Sequence, residues 1–189
     1  FIRRIRGEVL PKQYVNFIGH RSMLEHTFAR AERLLESQRI FTVVGRDHLS
    51  YPQVRRQLSA RDHYTVVIQP QNKETAPGLL LPLAHLYQRY PDAVVVTLPS
   101  DHFIVEEKLF MAQVDLACRV VESCPAYLVL LGIKPDEPET DYGYIVPGDK
   151  PRLTPPAVRS VLGFIEKPDS HTAREILRAG GLWNTMVMV

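Results

Sequence analysis

The chain has 189 residues, 45% of them hydrophobic and 23% charged, with a net charge of +2. That is enough for one domain with a real core and too little for two comfortable ones. The charge gives no reason to expect a nucleic-acid or membrane partner, and no apolar run approaches the ~20 residues of a membrane span.

The start lacks a signal-peptide core, and Cys118 and Cys124 are the only cysteines, without metal-ligand spacing. Two reduced, inert thiols in a cytoplasmic protein is the reading that follows. The basic cluster at Arg3, Arg4 and Arg6 reads as a solvated tail or a local anion contact.

Phe1 to Leu10 has no clear period, and Pro11-Lys12-Gln13 follows it. Arg21 to Ser37 predicts an amphipathic helix, because Met23, Phe28, Ala31, Leu34 and Leu35 fall near one helical face. Ile40 to Val44 reads as a strand ending at Gly45, and Leu49 to Leu58 as a short helix with Pro52 in its first turn. Tyr64 to Ile68 is the next strand, followed by a polar loop over Gln69 to Thr75. Pro77 opens a long helix to about Tyr90, with Pro82 inside it as a candidate kink.

Ala93 to Val96 is a short β-branched run with no polar alternation, the pattern of a strand buried on both faces of a parallel sheet. It stops at Pro99-Ser100-Asp101-His102, which puts an acid just past the strand's carboxyl end. Ligands bind at that edge of an open α/β sheet. Asp101 therefore has two readings: a metal ligand holding a phosphate-bound Mg²⁺, or a cap for the helix that begins near Glu106 and runs to Glu122.

Tyr127 to Leu131 is a further apolar strand. Strand–helix alternation to this point predicts right-handed βαβ units. The fold class is α/β: a three-layer, Rossmann-like, mainly parallel sheet with helices on both faces. After Gly132 six prolines punctuate the chain, from Pro135 to Pro156, and Tyr142 to Val146 and Val158 to Glu166 alternate like strands. His171 to Ala179 reads as a helix stopped by Gly180-Gly181, and Leu182 to Val189 as a final strand.

Six short motifs occur in a meaningful order: Pro11-Lys12-Gln13; Asn72 to Pro77; Pro99 to His102; Gly132 to Pro135 with Pro138 to Ile145; Phe164 to Pro168; and Trp183-Asn184-Thr185. In these the chain resembles the nucleotidyltransferase domain of mannose-1-phosphate guanylyltransferases, within the wider sugar-1-phosphate nucleotidyltransferases. The resemblance implies the nucleotide-diphospho-sugar transferase fold and a reaction joining mannose 1-phosphate to GTP, giving GDP-mannose and pyrophosphate. Two anions must meet in line, so such a site neutralises charge and aligns reactants rather than supplying a protein nucleophile.

By the same resemblance Lys12 faces the triphosphate as a compact point charge, and Asp101 holds Mg²⁺. Asn72, Thr75 and Ala76 form the loop against guanine, and Ser100 also falls at the nucleotide. Read from the residues alone, Thr75 is also a candidate cap for the following helix. Gly143 lets backbone approach the sugar, Glu166 accepts from mannose hydroxyls, Lys167 pairs with the sugar's phosphate, and Asn184 completes the pocket. Trp183 reads as a core residue. The plain alternatives are a surface lysine at Lys12, a bulge glycine at Gly143, and a solvated Glu–Lys pair at a strand end.

The family's opening strand, its glycine-rich phosphate loop and a second metal-binding aspartate do not occur in this sequence. The expectation is a single nucleotidyltransferase domain fragment spanning 1–189, with the missing parts either disordered or excised, or else the fragment not competent alone. Competing readings are a relative with another base or sugar, and a silent nucleotide-sugar-binding regulator. The reading admits a homodimer.

Overall fold

The computed structural model describes residues 10–151 and 158–189. Arg3, Arg4, Arg6 and the Pro155-Pro156 pair fall outside the described residues. The chain divides into two compact units, Phe1–Leu116 and Ala117–Val189, and the division falls inside one helix.

In the first unit Pro11 leads into a 3₁₀ turn over Lys12–Tyr14. Helix α1 (Met23–Ala31) starts from a capping box: the Ser22 hydroxyl accepts the Glu25 amide at 3.2 Å, and the Ser22 amide donates to the Glu25 carboxylate at 2.6 Å. Two otherwise orphaned amides are satisfied that way. Met23, Phe28 and Ala31 are buried as their spacing predicts. Leu34 and Leu35 are exposed, because the helix ends at Ala31 and the chain continues in tighter turns.

Strand β1 (Thr42–Gly45), helix α2 (Pro52–Leu58) and strand β2 (Val66–Gln69) form a βαβ unit. The strands pair in parallel from Thr42↔Val66 to Gly45↔Gln69. Pro52 at the first helical position sacrifices no hydrogen bond. The core beneath gathers Leu10, Tyr14, Val15, Leu24, Phe28, Val44, Val54 and Leu58. Helices α3 (Thr75–Arg89) and α4 (Glu107–Ser123) follow. Helix α3 contains Pro82, buries none of its residues, and begins at Thr75 rather than Pro77.

The run Ala93 to Val96 departs from expectation. It makes no ladder with β1 or β2. Only Thr97 bridges to another segment, and Val94 is 36% exposed. A β-branched run becomes a strand only when its amides and carbonyls find partners along both edges. No such partner lies beside this one among the described residues.

The second unit carries strands β3 (Leu130–Ile133), β4 (Gly143–Pro151), β5 (Arg159–Glu166) and β6 (Leu182–Met188), with helix α5 (Ser170–Arg178) before β6. The sheet order is β3-β6-β4-β5, and every pairing in it is antiparallel. The α/β class holds. Among the described residues its parallel pairing is the β1–β2 pair, and the alternating strands after Gly132 pair antiparallel.

Asp169 caps α5 by accepting the Thr172 amide at 2.8 Å, and that bond holds its carboxyl below the usual range. Gly180, at φ +80°, ends the helix in the left-handed conformation. Ala173 and Ile176 of α5 pack on the buried Tyr144, with Val146, Ile165 and Trp183 around them. No helix among the described residues is long and apolar enough to cross a membrane.

Candidate active site

The 3₁₀ turn after Pro11 projects Lys12, and its ammonium pairs with the Asp101 carboxylate. The Lys12 side chain is 66% exposed and that of Asp101 24%. Ion pairs this open contribute about 0–1 kcal/mol, so holding the fold together does not explain the arrangement. Instead it points a cation and an anion from distant parts of the sequence at one wet spot. Asp101 does not cap α4, which starts well past it at Glu107. His102 is half-buried, and burial pushes its imidazole below the ordinary value against the opposing pull of Asp101. Ser100 precedes Asp101 in the same turn and is partly buried.

Asn72, Thr75 and Ala76 lie in the first unit, in the loop after β2 and the first turn of α3, and all three are exposed. The Asn72 side-chain oxygen accepts the Glu74 amide at 3.0 Å, a local turn that orders the loop. Glu74 sits at φ +66°, immediately before the helix. The capping role considered for Thr75 does not hold. Thr75 is the first helical residue, and no side chain caps α3.

In the second unit Gly143 stands directly across the β4–β5 ladder from Glu166. A Cβ on Gly143 would meet Glu166 Oε2 at 2.6 Å and Phe164 Cζ at 2.9 Å. Gly143 is therefore no bulge glycine, because the register shifts of β4 come later, at Val146 and Pro147. Lys167 follows with φ +45°, left-handed backbone that costs a non-glycine residue about 1–2 kcal/mol. Its amide donates to the Tyr142 carbonyl at 3.2 Å, which pins the turn. Strain of this kind collects at ligand-facing positions.

Trp183 of β6 opposes both Ile133 and Tyr144, and Tyr142 meets its ring edge-on with centroids 5.1 Å apart. The indole packs on the Tyr144 cluster, in line with a core role, while its N–H is buried without a partner. Asn184 opposes Gly132; its side-chain oxygen accepts the Met186 amide at 3.1 Å. Thr185 donates to the Leu131 carbonyl at 2.6 Å. The Tyr144 hydroxyl donates to the Glu139 carbonyl and accepts the Glu139 amide, both at 2.9 Å, tying down the loop before Gly143.

Two residues escaped sequence reasoning. Tyr142 lies inside the Pro138 to Ile145 motif without a role assigned to it there, and it supports both Trp183 and Lys167. Arg30 is 2% exposed and donates to the His102 carbonyl, adjacent to Asp101, at 3.2 Å. Its signal was visible: a charge set among Thr27, Phe28 and Ala31 on the apolar face of α1.

Residues 8–189 match the family described as nucleotidyl transferase. Among curated relatives, the xanthan biosynthesis protein XanB of Xanthomonas campestris pv. campestris is 32% identical over 179 residues, covering 94% of this chain and 37% of that protein. A mannose-1-phosphate guanylyltransferase of Klebsiella pneumoniae is 29% identical over 180 residues, again 94% of this chain and 37% of its own length. The chain thus spans little more than a third of the curated relatives it matches. Among solved structures, one titled mannose-1-phosphate geranyltransferase, from Thermus thermophilus, superposes with a TM-score of 0.77 at 28% identity, over 89% of this chain and 47% of that one. With the match running through nearly all of its length, the chain belongs to the nucleotidyl transferase family.

Proposed function

We propose that this chain belongs to an enzyme that transfers GMP from GTP to mannose 1-phosphate, releasing pyrophosphate and GDP-mannose. The observation that carries the reading is the Lys12–Asp101 pair. Family membership and relatives named for guanylyl transfer to mannose 1-phosphate support it.

A phosphate oxygen of the sugar attacks the α-phosphorus of GTP, and the bond to pyrophosphate breaks on the opposite side. The protein's task is alignment and charge neutralisation. Lys12 supplies a mobile point charge to the triphosphate. Asn72, Thr75 and Ala76 read the guanine edge, with Ser100 beside the nucleotide. In the second unit Glu166 accepts from the sugar hydroxyls past Gly143, Lys167 meets the sugar phosphate, and Asn184 closes the pocket.

Among the described residues no group of three or more His, Cys, Asp or Glu gathers to hold a metal. Mg²⁺ does not need one, because it binds through one or two carboxylates with waters and substrate phosphates. The partly exposed Asp101 carboxylate fits that role. When bound, the ion supplies charge neutralisation between nucleophile and nucleotide. The setting is the cytoplasm.

Pyrophosphate release from GTP plus mannose 1-phosphate, with and without Mg²⁺, tests this on the full-length protein. Turnover that requires all three supports the reading. Turnover with another base or sugar, or GDP-mannose binding without turnover, overturns it.

A further inference from the structure

Arg30 is a deeply buried arginine beside the Asp101 turn. Its Nη2 donates to Thr27 Oγ1 at 2.9 Å and to the His102 carbonyl at 3.2 Å, while Nη1 reaches Glu107 at 3.5 Å. Arg33 holds the other Glu107 oxygen at 2.9 Å, and the Phe110 ring lies 5.7 Å from the Arg30 guanidinium carbon. Three parts of the first unit, helix α1, the segment 99–106 and the start of helix α4, thus meet on one side chain.

Stability alone is a poor reason for this arrangement. A buried ion pair is often no more stabilising than apolar residues of the same volume, because desolvation offsets the attraction. Arg30 does what an apolar residue cannot: it fixes a backbone carbonyl one residue after Asp101. We infer that Arg30 is a positioning residue, clamping the His102 carbonyl so that the Asp101 carboxylate is held beside Lys12. The inference rests on the proposed catalytic role of Asp101. Thr27 acts one step further back: its hydroxyl donates to the Met23 carbonyl at 3.0 Å and presents its oxygen to Arg30.

Arg30→Met and the milder Thr27→Val in the full-length protein provide the test, read by kinetics and by amide hydrogen exchange. The expected result for Arg30→Met is a fall in kcat of about tenfold or more, as misplacement near a reacting centre produces. The Mg²⁺ concentration for half-maximal rate should rise, with KM for mannose 1-phosphate little changed. Exchange should accelerate over residues 99–106 and not over the core of β1. Thr27→Val should move the same quantities less, and it decides the matter if Arg30→Met fails to fold. Unchanged kcat and Mg²⁺ dependence, or faster exchange spread evenly over α1 and β1, would overturn the inference. If the unsubstituted protein turns over neither substrate, the functional proposal fails, and exchange confined to 99–106 still decides the clamp.

Discussion

Gly143 and Glu166 face each other across the β4–β5 ladder, and Glu166 Oε2 occupies the space beside which a Cβ on Gly143 would stand at 2.6 Å. The missing side chain therefore fixes where a carboxylate can rest. Gly143→Ala should displace Glu166, the flexible partner, and leave the ladder in place. The expected outcome is a rise in KM for mannose 1-phosphate of about tenfold, on the scale of one lost charged hydrogen bond, with KM for GTP little changed. Steady-state kinetics with each substrate varied in turn checks it.

Lys167 offers a test in which stability and activity move in opposite directions. Its φ of +45° suits glycine better than lysine. Lys167→Gly should stabilise the fold by about 1 kcal/mol through relieved strain, while weakening use of the sugar phosphate. Denaturant unfolding and kinetics on the same preparation read both. A destabilised variant would mean the lysine side chain holds the turn.

Asp101→Ala should lower turnover by about a hundredfold or more, as loss of a charge-stabilising group does. The fold should persist, because the ion pair with Lys12 is open to solvent. Circular dichroism alongside the pyrophosphate assay separates the two. Retained activity would remove Asp101 from the site.

Ser22 is fully buried, accepts the Glu25 amide and donates to Gln57 Oε1 at 2.8 Å. Ser22→Ala removes the cap and strands the Gln57 oxygen. A loss of about 2 kcal/mol follows from cap and unpaired acceptor together. Thermal melting measures it.

Tyr14 gives the pH dependence a sign. Burial, with Asp47 adding to it, pushes its phenol up to about 12, and its hydroxyl lies 3.1 Å from His48 Nδ1. The unfolded chain loses this proton near the ordinary value of about 10, so between the two values the folded state holds more protons. Stability from Tyr14 is present in full below pH ~10 and declines as pH rises toward ~12. Tyr14→Phe should flatten that alkaline decline in urea midpoints measured from about pH 9 to 11.5. An equally steep decline would place the effect elsewhere.

The parts legible in the sequence are those whose cause is local. Apolar spacing set the buried face of α1, and proline at Pro52 and glycines at Gly180-Gly181 placed helix ends. The motif order brought out Lys12 and Asp101, which the fold then pairs. What depends on partners was not legible. Ala93 to Val96 has the composition of a buried strand, yet a strand is a relationship between neighbours, which composition does not contain. Thr75 has the chemistry of a cap but stands one place too late, because Glu74, at φ +66°, holds the position before the first helical residue. The role of Arg30 is not legible because helical periodicity counts apolar residues, and that role lies in a carbonyl far along the chain.

Tyr144 joins two things usually kept separate. Its ring is the fully buried centre of the second unit's packing, and its hydroxyl is the latch on Glu139. Removing that one oxygen would release the loop ahead of Gly143 while the ring still fills the interior. Under the proposed function, drift in sequence at this interior position retunes the loop that leads to Gly143 without touching any residue assigned to the sugar.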